Sequence, residues 1–324
     1  MTSLQFIKSP IEQELKDFEP YFKNSLKSEV PLLGVILNYI YRTKGKQIRP
    51  MFVFLSARMF GETNPYSQLA ACSVELLHTA TLVHDDVVDE SFERRGFFSV
   101  KALWKNKLAV LVGDFILAKG LLLTLEKKKY KFLHLTSRAV QDMAEGEILQ
   151  IKKSRNLDID EETYYEIIRK KTASLIATSM AIGAASVTED ENIIEKMYQI
   201  GQNAGIAFQI KDDIFDYQDK GLIGKPTGND IKEKKITLPL LYILKKSEKM
   251  ERHRILQLIR HKNKNSARVQ DLIELVTANG GIEYATRKMI EFRDKAVEGL
   301  KEFPDCAARE SLIELMNYVI LRNK

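Results

Sequence analysis

Apolar residues recur along most of the chain at helical spacing, and this pattern predicts an all-α protein. The stretch Leu69 to Val88 is apolar on nearly every side, as expected of a helix buried in a large bundle. We expect further helices over these ranges: 102–126, 131–151, 161–186, 190–218, 236–247, 250–262, 267–277, 281–301 and 306–322. No run alternates with a period of two, as half-buried strands do. One all-α domain over residues 1–324 is therefore the simplest prediction.

Two local signals mark where helices should begin and where the chain should be irregular. Ser9-Pro10-Ile11-Glu12 has the pattern of a capping box with proline at the first helical position, and apolar residues follow at helical spacing. The segment 219–230, DKGLIGKPTGND, contains three glycines and one proline, which favours an irregular connection.

Composition favours a globular protein of the cytoplasm. Hydrophobic residues make up 44% of 324 residues, enough for a large core, and the two cysteines, Cys72 and Cys306, are too few for a disulfide framework. The first residues lack the pattern of a signal peptide. The uncharged run 172–188 is shorter than the ~20 residues that span a bilayer, so we expect a buried helix there and no transmembrane segment.

The net charge of +6 is modest, and most of it is expected to be solvated surface. The basic runs at 127–129 and 232–235 have no interleaved aromatic residues, so nothing favours nucleic acid as a partner. A phosphorylated substrate would also use positive charge.

Two acidic clusters carry the strongest chemical signal. Asp85, Asp86 and Asp89 form one D-D-x-x-D pattern, and Asp212, Asp213 and Asp216 form a second, each late in an apolar helix. Clustered carboxylates repel one another unless a cation lies nearby, and Mg²⁺ prefers such oxygen ligands together with phosphate oxygens. The two clusters together therefore predict a magnesium-dependent site for a diphosphate. We expect His84 to be a packed or hydrogen-bonded histidine, because Mg²⁺ disfavours imidazole.

Basic residues lie where they could bind that diphosphate. Lys46 and Arg49 are three apart near an expected helix start, a place suited to phosphate. Others follow the first acidic cluster or lie near the second: Arg94, Arg95, Lys171, Lys225 and Lys235. Each alone is an ordinary surface cation, and their joint occurrence with the acidic pair is what suggests binding.

The chain resembles the trans-isoprenyl diphosphate synthase (polyprenyl synthetase) family over roughly residues 40–240. The matching motifs are G-K-Q-I-R-P (45–50), E-L-L-H (75–78), H-D-D-V-V-D (84–89), R-R-G (94–96), G-D (113–114), E-G-E-I-L-Q (145–150), K-T-A (171–173), F-Q-I-K-D-D-I-F-D (208–216) and G-K-P-T-G-N-D…K-I-T-L-P (224–239).

This resemblance implies a single large helical bundle around a central cavity, usually a homodimer, with three magnesium ions between the two acidic motifs. It implies that isopentenyl diphosphate is bound by Lys46, Arg49, His78 and Arg95. It implies that the allylic diphosphate, farnesyl or geranylgeranyl diphosphate, is held by Arg94, Lys171, Lys225 and Lys235. Thr172 and Gln209 would line the reacting carbons, and Lys171, Thr172 and Gln209 are the expected catalytic residues. The implied reaction is a head-to-tail 1′-4 condensation with an all-trans product.

Two places depart from the family pattern. After R-R-G the family often has a small residue, then Pro-Thr or Pro-Ser, then Asn or His, whereas this chain has Phe97-Phe98-Ser99-Val100-Lys101. A Gly-Lys pair is usual before Thr237, where this chain has Lys234-Lys235. Neither change removes an acidic ligand, so we expect altered loops and retained activity.

Small residues before the first acidic motif predict a long product. Ala80 and Thr81 precede Asp85 by about 7.5 and 6 Å along a helix. In the resembling family, large aromatic residues at these positions stop synthesis at short products. We therefore expect a product beyond C20 and near C40, with Leu77 and Phe132 as candidates for a deeper floor.

Several alternatives share parts of this pattern. A shorter-chain farnesyl or geranylgeranyl diphosphate synthase would carry the same motifs. A non-catalytic subunit of a heteromeric synthase should have degraded motifs, whereas both are intact here. A terpene cyclase or squalene-type synthase is disfavoured by the complete G-K-x-x-R-P sequence.

Overall fold

The computed structural model describes residues 3–94, 96–217, 228–260 and 266–321. Within them the chain is all-α, as predicted. The helices are α1 (Ser3–Lys8), α2 (Glu12–Ser25), α3 (Pro31–Arg42), α4 (Ile48–Phe60), α5 (Pro65–Val88), α6 (Val100–Glu126), α7 (Tyr130–Asn156), α8 (Glu161–Ile168), α9 (Ser174–Ala185), α10 (Glu191–Tyr217), α11 (Asn229–Lys232), α12 (Leu238–Lys246), α13 (Lys249–Arg260), α14 (Ser266–Ala278), α15 (Gly281–Lys301) and α16 (Ala307–Leu321).

The chain divides into two compact units. The first unit comprises Met1–Val140, Leu175–Gly201 and Leu300–Leu315, and the second comprises Gln141–Ser174, Gln202–Gly299 and Met316–Lys324. A single domain over 1–324 stays a prediction.

The core of the first unit forms around α5. Its residues from Leu69 to Leu77 are all buried. Neighbouring elements surround this part of α5, which explains why it is apolar on nearly every side. Phe18 of α2 stacks on Phe22 and meets Phe54 of α4 edge-on, and α6 packs along α5. In α6, Gly113 leaves room for the ring of His84, because a Cβ there would come closer to the ring than real Cβ atoms do.

The core of the second unit brings α8, α10 and α12 into position. α12 packs against α8, α13 and α14, and Tyr242 stacks on Tyr284 of α15 with ring centroids 4.4 Å apart. On α10, a Cβ at Gly205 would lie 2.5 Å from the Cα of Ala173, so this glycine permits a close helix approach.

Two local predictions differ from the structure. The capping box at Ser9–Glu12 is wrong: Ser3–Lys8 is already helical, Ser9–Ile11 forms a 3₁₀ turn, and no side chain caps either start. A capping box does form at Asn64, whose side chain accepts from the backbone N–H of Ser67 while Pro65 follows.

The helix expected over 161–186 is interrupted by a π-helical turn, Arg169–Ala173. The buried helix expected in the run 172–188 is confirmed by α9.

A short hairpin was not expected from the sequence. Strands β1 (Glu93–Arg94) and β2 (Phe97–Phe98) pair antiparallel, and Gly96 adopts φ 78° in the turn. Two-residue strands are too short to show an alternating pattern, which explains why period-two analysis did not find them.

Helix α6 is long and apolar enough to cross a membrane, judged by length and composition alone. Lys107, Asp114 and Lys119 interrupt its apolar runs. One such helix is weak evidence for a membrane span, because the core helix of a soluble protein passes the same test. About 33% of the apolar window of α6 is buried.

Candidate active site

The first acidic motif lies at the end of α5, where its three carboxylates have different surroundings. Asp85 is half-buried, Asp86 is only 3% exposed, and Asp89 is exposed at the C-cap. The side chain of Asp86 accepts a hydrogen bond of 2.7 Å from Nε of Arg94 on β1. Burial raises the pKa of the Asp86 carboxyl, and the Arg94 charge opposes that rise.

A cavity of about 70 Å³ lies beside this motif in the first unit. Its lining includes Lys44, Gly45, His78, Asp86, Arg94 and Phe98. His78 and Arg94 were predicted to bind substrate, and Lys44 was missed by the sequence analysis. Asp86 and Arg94 were assigned to metal and to the allylic substrate, and here they pair with each other.

The G-K-Q-I-R-P sequence forms the start of α4, as predicted. Gln47 has a left-handed backbone with φ 52°, the helix begins at Ile48, and Arg49 lies in its first turn. Lys46 immediately precedes that turn and is exposed. Unsatisfied backbone N–H groups and the helix dipole make such a terminus favourable for an anion.

His84 is confirmed as a hydrogen-bonded helix histidine. Its Nε2 lies 3.3 Å from the carbonyl oxygen of Val110 and 3.2 Å from a carboxylate oxygen of Asp114, both on α6. The G-D pair at 113–114 thus accommodates this ring through its glycine and contacts it through its aspartate.

The second acidic motif lies at the end of α10, and two of its carboxylates are held by protein donors. Asp212 is exposed, whereas Asp213 is 4% exposed and accepts from Tyr164 Oη at 2.6 Å and from Gln209 Nε2 at 2.8 Å. Asp216 accepts from the backbone N–H groups of Asn229 and Asp230 at 3.0 and 2.9 Å. These two bonds hold the first turn of α11 against α10.

Electrostatics in the second motif favour a nearby cation. Burial raises the pKa of Asp213 and of Asp216. Burial, with the neighbouring charge of Asp216, raises the pKa of Asp230 to about 7. Negative charges held in such surroundings would be stabilised by a divalent ion.

A cavity of about 110 Å³ adjoins this motif in the second unit. Its lining includes Lys171, Thr172, Gln209, Asp213, Asp230 and Lys235. The structure therefore brings the predicted catalytic trio together with two further predicted residues. Tyr164 and Asp230 were not predicted from the sequence. Their contacts with Asp213 and Asp216 join different helices, so only the tertiary structure shows them.

The cations of this cavity are balanced by nearby acids. Lys171 pairs with Glu147 and donates a hydrogen bond of 2.8 Å to Gln150. Lys235 pairs with Glu233 at 2.6 Å. Glu147 and Gln150 belong to the E-G-E-I-L-Q motif, so this motif supplies partners for the lysine. Arg95 and Lys225, both predicted to bind diphosphate, lie outside the described residues.

Thr172 is placed by the π-helical turn and by Gly205. Because Gly205 lets α10 approach Ala173, the hydroxyl of Thr172 comes within 2.7 Å of Gln209 Oε1 and donates to it. π-helical turns are frequent at functional sites because they displace a side chain from regular helical register.

The residues predicted to set product length lie on one stretch of α5. Leu77 and Ala80 are buried, and Thr81 is half-buried with its hydroxyl donating to the carbonyl of His78 at 2.8 Å. Phe132 of α7 is buried as well.

The donor set fits magnesium. Within the described ranges, no group of three or more His, Cys, Asp or Glu residues is placed to hold a metal ion by itself. An open site is what Mg²⁺ uses when one or two carboxylates combine with waters and substrate phosphate oxygens. Of the adjacent aspartates in each motif, the first is not buried: Asp85 in the first motif and Asp212 in the second. Hard oxygen donors are therefore accessible in both motifs.

Comparison with known proteins agrees with these features. The family model for polyprenyl synthetase matches residues 30–276. Octaprenyl diphosphate synthase of Escherichia coli is 36% identical, over 99% of this chain and 100% of its own length. All-trans-nonaprenyl-diphosphate synthase (geranyl-diphosphate specific) of Rhodobacter capsulatus is 33% identical, over 98% of each chain.

Solved structures are similar over their whole length. Polyprenyl synthase from Caulobacter crescentus, complexed with calcium and isoprenyl diphosphate, has a TM-score of 0.91 at 33% identity, covering 99% of this chain and 98% of its own. Geranylgeranyl pyrophosphate synthase from Bacteroides thetaiotaomicron has a TM-score of 0.85 at 38% identity, covering 99% and 100%. The fold, the motifs and these similarities together show that the chain belongs to the polyprenyl synthetase family and is a prenyltransferase.

Proposed function

We propose that the protein condenses isopentenyl diphosphate head-to-tail with an allylic diphosphate, by 1′-4 coupling, to give an all-trans polyprenyl diphosphate. One observation carries the proposal: each acidic motif adjoins a cavity that basic side chains also line. Such a pairing of carboxylates and cations suits a substrate that brings phosphate and metal together.

The six aspartates of the two motifs are the proposed magnesium ligands. Asp85, Asp89 and Asp212 are the accessible ones, while the three others are held by protein donors and would contribute through their remaining lone pairs. Three magnesium ions per site, as the family resemblance implies, would neutralise charge on the departing diphosphate.

The cations divide between two substrates. Lys46, Arg49, His78 and Arg95 are proposed for isopentenyl diphosphate, because the start of α4 offers an anion site next to two of them. Arg94, Lys171, Lys225 and Lys235 are proposed for the allylic diphosphate, farnesyl or geranylgeranyl diphosphate.

The reaction needs an apolar pocket that keeps water away from the reacting carbons. As the allylic carbon–oxygen bond ionises, Lys171 and the other cations stabilise the diphosphate leaving group. The oxygens of Thr172 and Gln209 face the cation that forms, and the double bond of isopentenyl diphosphate attacks it. The released diphosphate accepts the proton lost in the last step. Exclusion of water protects the carbocation.

The product is proposed to be long, beyond C20 and near the forty carbons of an octaprenyl chain. Ala80 and Thr81 are small, so a growing tail would pass them and stop at Leu77 or Phe132. A second candidate is geranylgeranyl diphosphate synthase, favoured by the 38% identity to the Bacteroides thetaiotaomicron enzyme.

A homodimer in the cytoplasm is the proposed assembly. Exposed leucine and valine side chains on α6, among them Leu103, Val110, Leu111, Leu122 and Leu125, would be covered by such a contact. Burial in a dimer would also account for the apolar character of this helix without a membrane.

One incubation tests the proposal. The purified chain is mixed with radiolabelled isopentenyl diphosphate, farnesyl diphosphate and magnesium, and the products are dephosphorylated and separated by length. We expect turnover without any second protein and a main product near C40. A C20 product would favour the second candidate, and no turnover without a partner chain would favour a heteromeric enzyme.

A further inference from the structure

We propose that Tyr164 is a positioning residue that, through Asp213 and Gln209, sets which way the Thr172 hydroxyl points. The proposal rests on the roles given above to Thr172 and Gln209. Four side chains form one continuous hydrogen-bonded series from α8, through α10, to the π-helical turn.

The series begins at a buried tyrosine. Tyr164 is 3% exposed, and its hydroxyl lies 2.6 Å from Asp213 Oδ2. Tyr164 is the donor of this hydrogen bond and Asp213 the acceptor. One oxygen of Asp213 is thereby held by a residue of another helix.

The second oxygen of Asp213 determines the orientation of Gln209. It lies 2.8 Å from the amide nitrogen of Gln209, which is one helical turn earlier on α10. The amide nitrogen donates this bond, so the NH₂ group of Gln209 faces Asp213 and its oxygen faces Thr172.

The amide oxygen then determines the orientation of Thr172. It lies 2.7 Å from Thr172 Oγ1, and an amide oxygen cannot donate, so the threonine hydroxyl must give its hydrogen to Gln209. The remaining lone pairs of Thr172 are free to face the cavity that Thr172, Gln209 and Asp213 line. An oxygen that presents lone pairs stabilises a carbocation, whereas one that presents hydrogen does not.

Backbone packing supports the same arrangement. Gly205, Gln209 and Asp213 are spaced four apart on α10 and share one face of the helix. Gly205 permits the close approach to Ala173 that brings Thr172 to Gln209. Tyr164 holds the far end of this face, so removing its hydroxyl should let Gln209 rotate.

The test is a double-mutant cycle between the two ends of the series. Tyr164→Phe removes one oxygen and keeps the ring, and Thr172→Val removes the hydroxyl at equal size. We expect Tyr164→Phe to lower kcat about ten- to a hundredfold, the effect of an unsatisfied buried acceptor, with little change in KM for isopentenyl diphosphate. The double variant should be no slower than Thr172→Val alone, because both changes remove the same effect.

Controls separate this proposal from the function on which it rests. Tyr165→Phe alters the next tyrosine of α8, whose hydroxyl lies 3.4 Å from Glu161, and should keep kcat within about twofold. If wild type and Tyr165→Phe both turn over substrate, the assay reports the proposed reaction. If they are active and Tyr164→Phe is equally fast, or if the losses of the two variants multiply, the positioning role is wrong.

Circular dichroism checks that each variant folds. Should Tyr164→Phe not fold, Gln209→Met cuts the series at its middle with similar length. Its loss of kcat should likewise not multiply with that of Thr172→Val, and multiplied losses would overturn the proposal.

Discussion

The two acidic motifs share one spacing, yet the protein holds their buried middle carboxylates by different means. Asp86 is paired with a charged donor, Arg94, from the adjacent hairpin. Asp213 is held by two neutral donors, Tyr164 and Gln209. A charged partner offsets the charge of a carboxylate, whereas neutral donors satisfy its lone pairs and leave the negative charge in place.

The difference shows that identical motifs can have different electrostatic surroundings. In the first motif Arg94 offsets part of the charge of Asp86, whose pKa burial still raises. In the second, Asp213, Asp216 and Asp230 have raised pKa values because burial is only partly compensated. The second motif should therefore depend more strongly on a bound cation.

The largest expected effect tests whether both motifs are essential. Asp85→Ala, Asp86→Ala and Asp212→Ala should each lower kcat at least about a hundredfold, on the order of 3 kcal/mol of transition-state stabilisation. EDTA should abolish turnover in wild type, and magnesium should restore it. Steady-state rates measured over a magnesium series check this, and undiminished turnover in chelator would contradict the metal mechanism.

A smaller effect should separate the two substrates. Arg49→Ala should raise the KM for isopentenyl diphosphate about tenfold, and Lys235→Ala should do the same for the allylic diphosphate, because each removes a charge that binds phosphate. Initial rates with one substrate varied at a time give both constants.

Neighbouring cations provide the controls for that separation. Arg42 is exposed at the end of α3, and Lys234 has φ 60°, which suits asparagine. Arg42→Ala and Lys234→Asn should leave both KM values nearly unchanged. If Arg49→Ala and Lys235→Ala weaken both substrates alike, the two regions do not serve different substrates.

Product length should respond to a change on the helix of the first motif. Ala80→Phe places a ring on α5 one turn before the motif, so the tail should stop earlier and the main product should shorten. The first condensations should continue. Product chromatography measures this, with Ala80→Ser as the small control, and an unchanged length would contradict the assigned floor.

The smallest expected effects concern the glycines that position each motif. Gly113→Ala would push against the ring of His84, and Gly205→Ala against Ala173, so each should lower the free energy of unfolding by about 1–3 kcal/mol. At Gly34 in α3 a Cβ would make only an ordinary contact, 3.9 Å from the carbonyl oxygen of Ser28, so Gly34→Ala should stabilise by roughly 0.5–1 kcal/mol. Urea denaturation compares the three. Equal stability of all three variants would show that neither approach is tight.

Part of the site could be predicted because the two acidic motifs form local patterns. Asp85 and Asp212 with their neighbours are recognisable from spacing along one helix, whereas the roles of Lys171, Thr172 and Gln209 were implied only by the resemblance to the family. The capping box at Ser9 was wrong for the opposite reason. The local pattern was present, but the preceding residues already continue a helix, which a short window does not show.

The sequence by itself determined the all-α class, the two acidic motifs and the family, because helical periodicity and motif spacing are properties of neighbouring residues. Only the tertiary structure decided which carboxylates are held and by what. Tyr164 lies 49 residues from Asp213, and Asn229 lies 13 residues from Asp216. Contacts over such separations depend on how helices pack, so no local pattern announces them. The assignment of Asp86 to Arg94, and of Thr172 to Gln209, therefore came from packing alone.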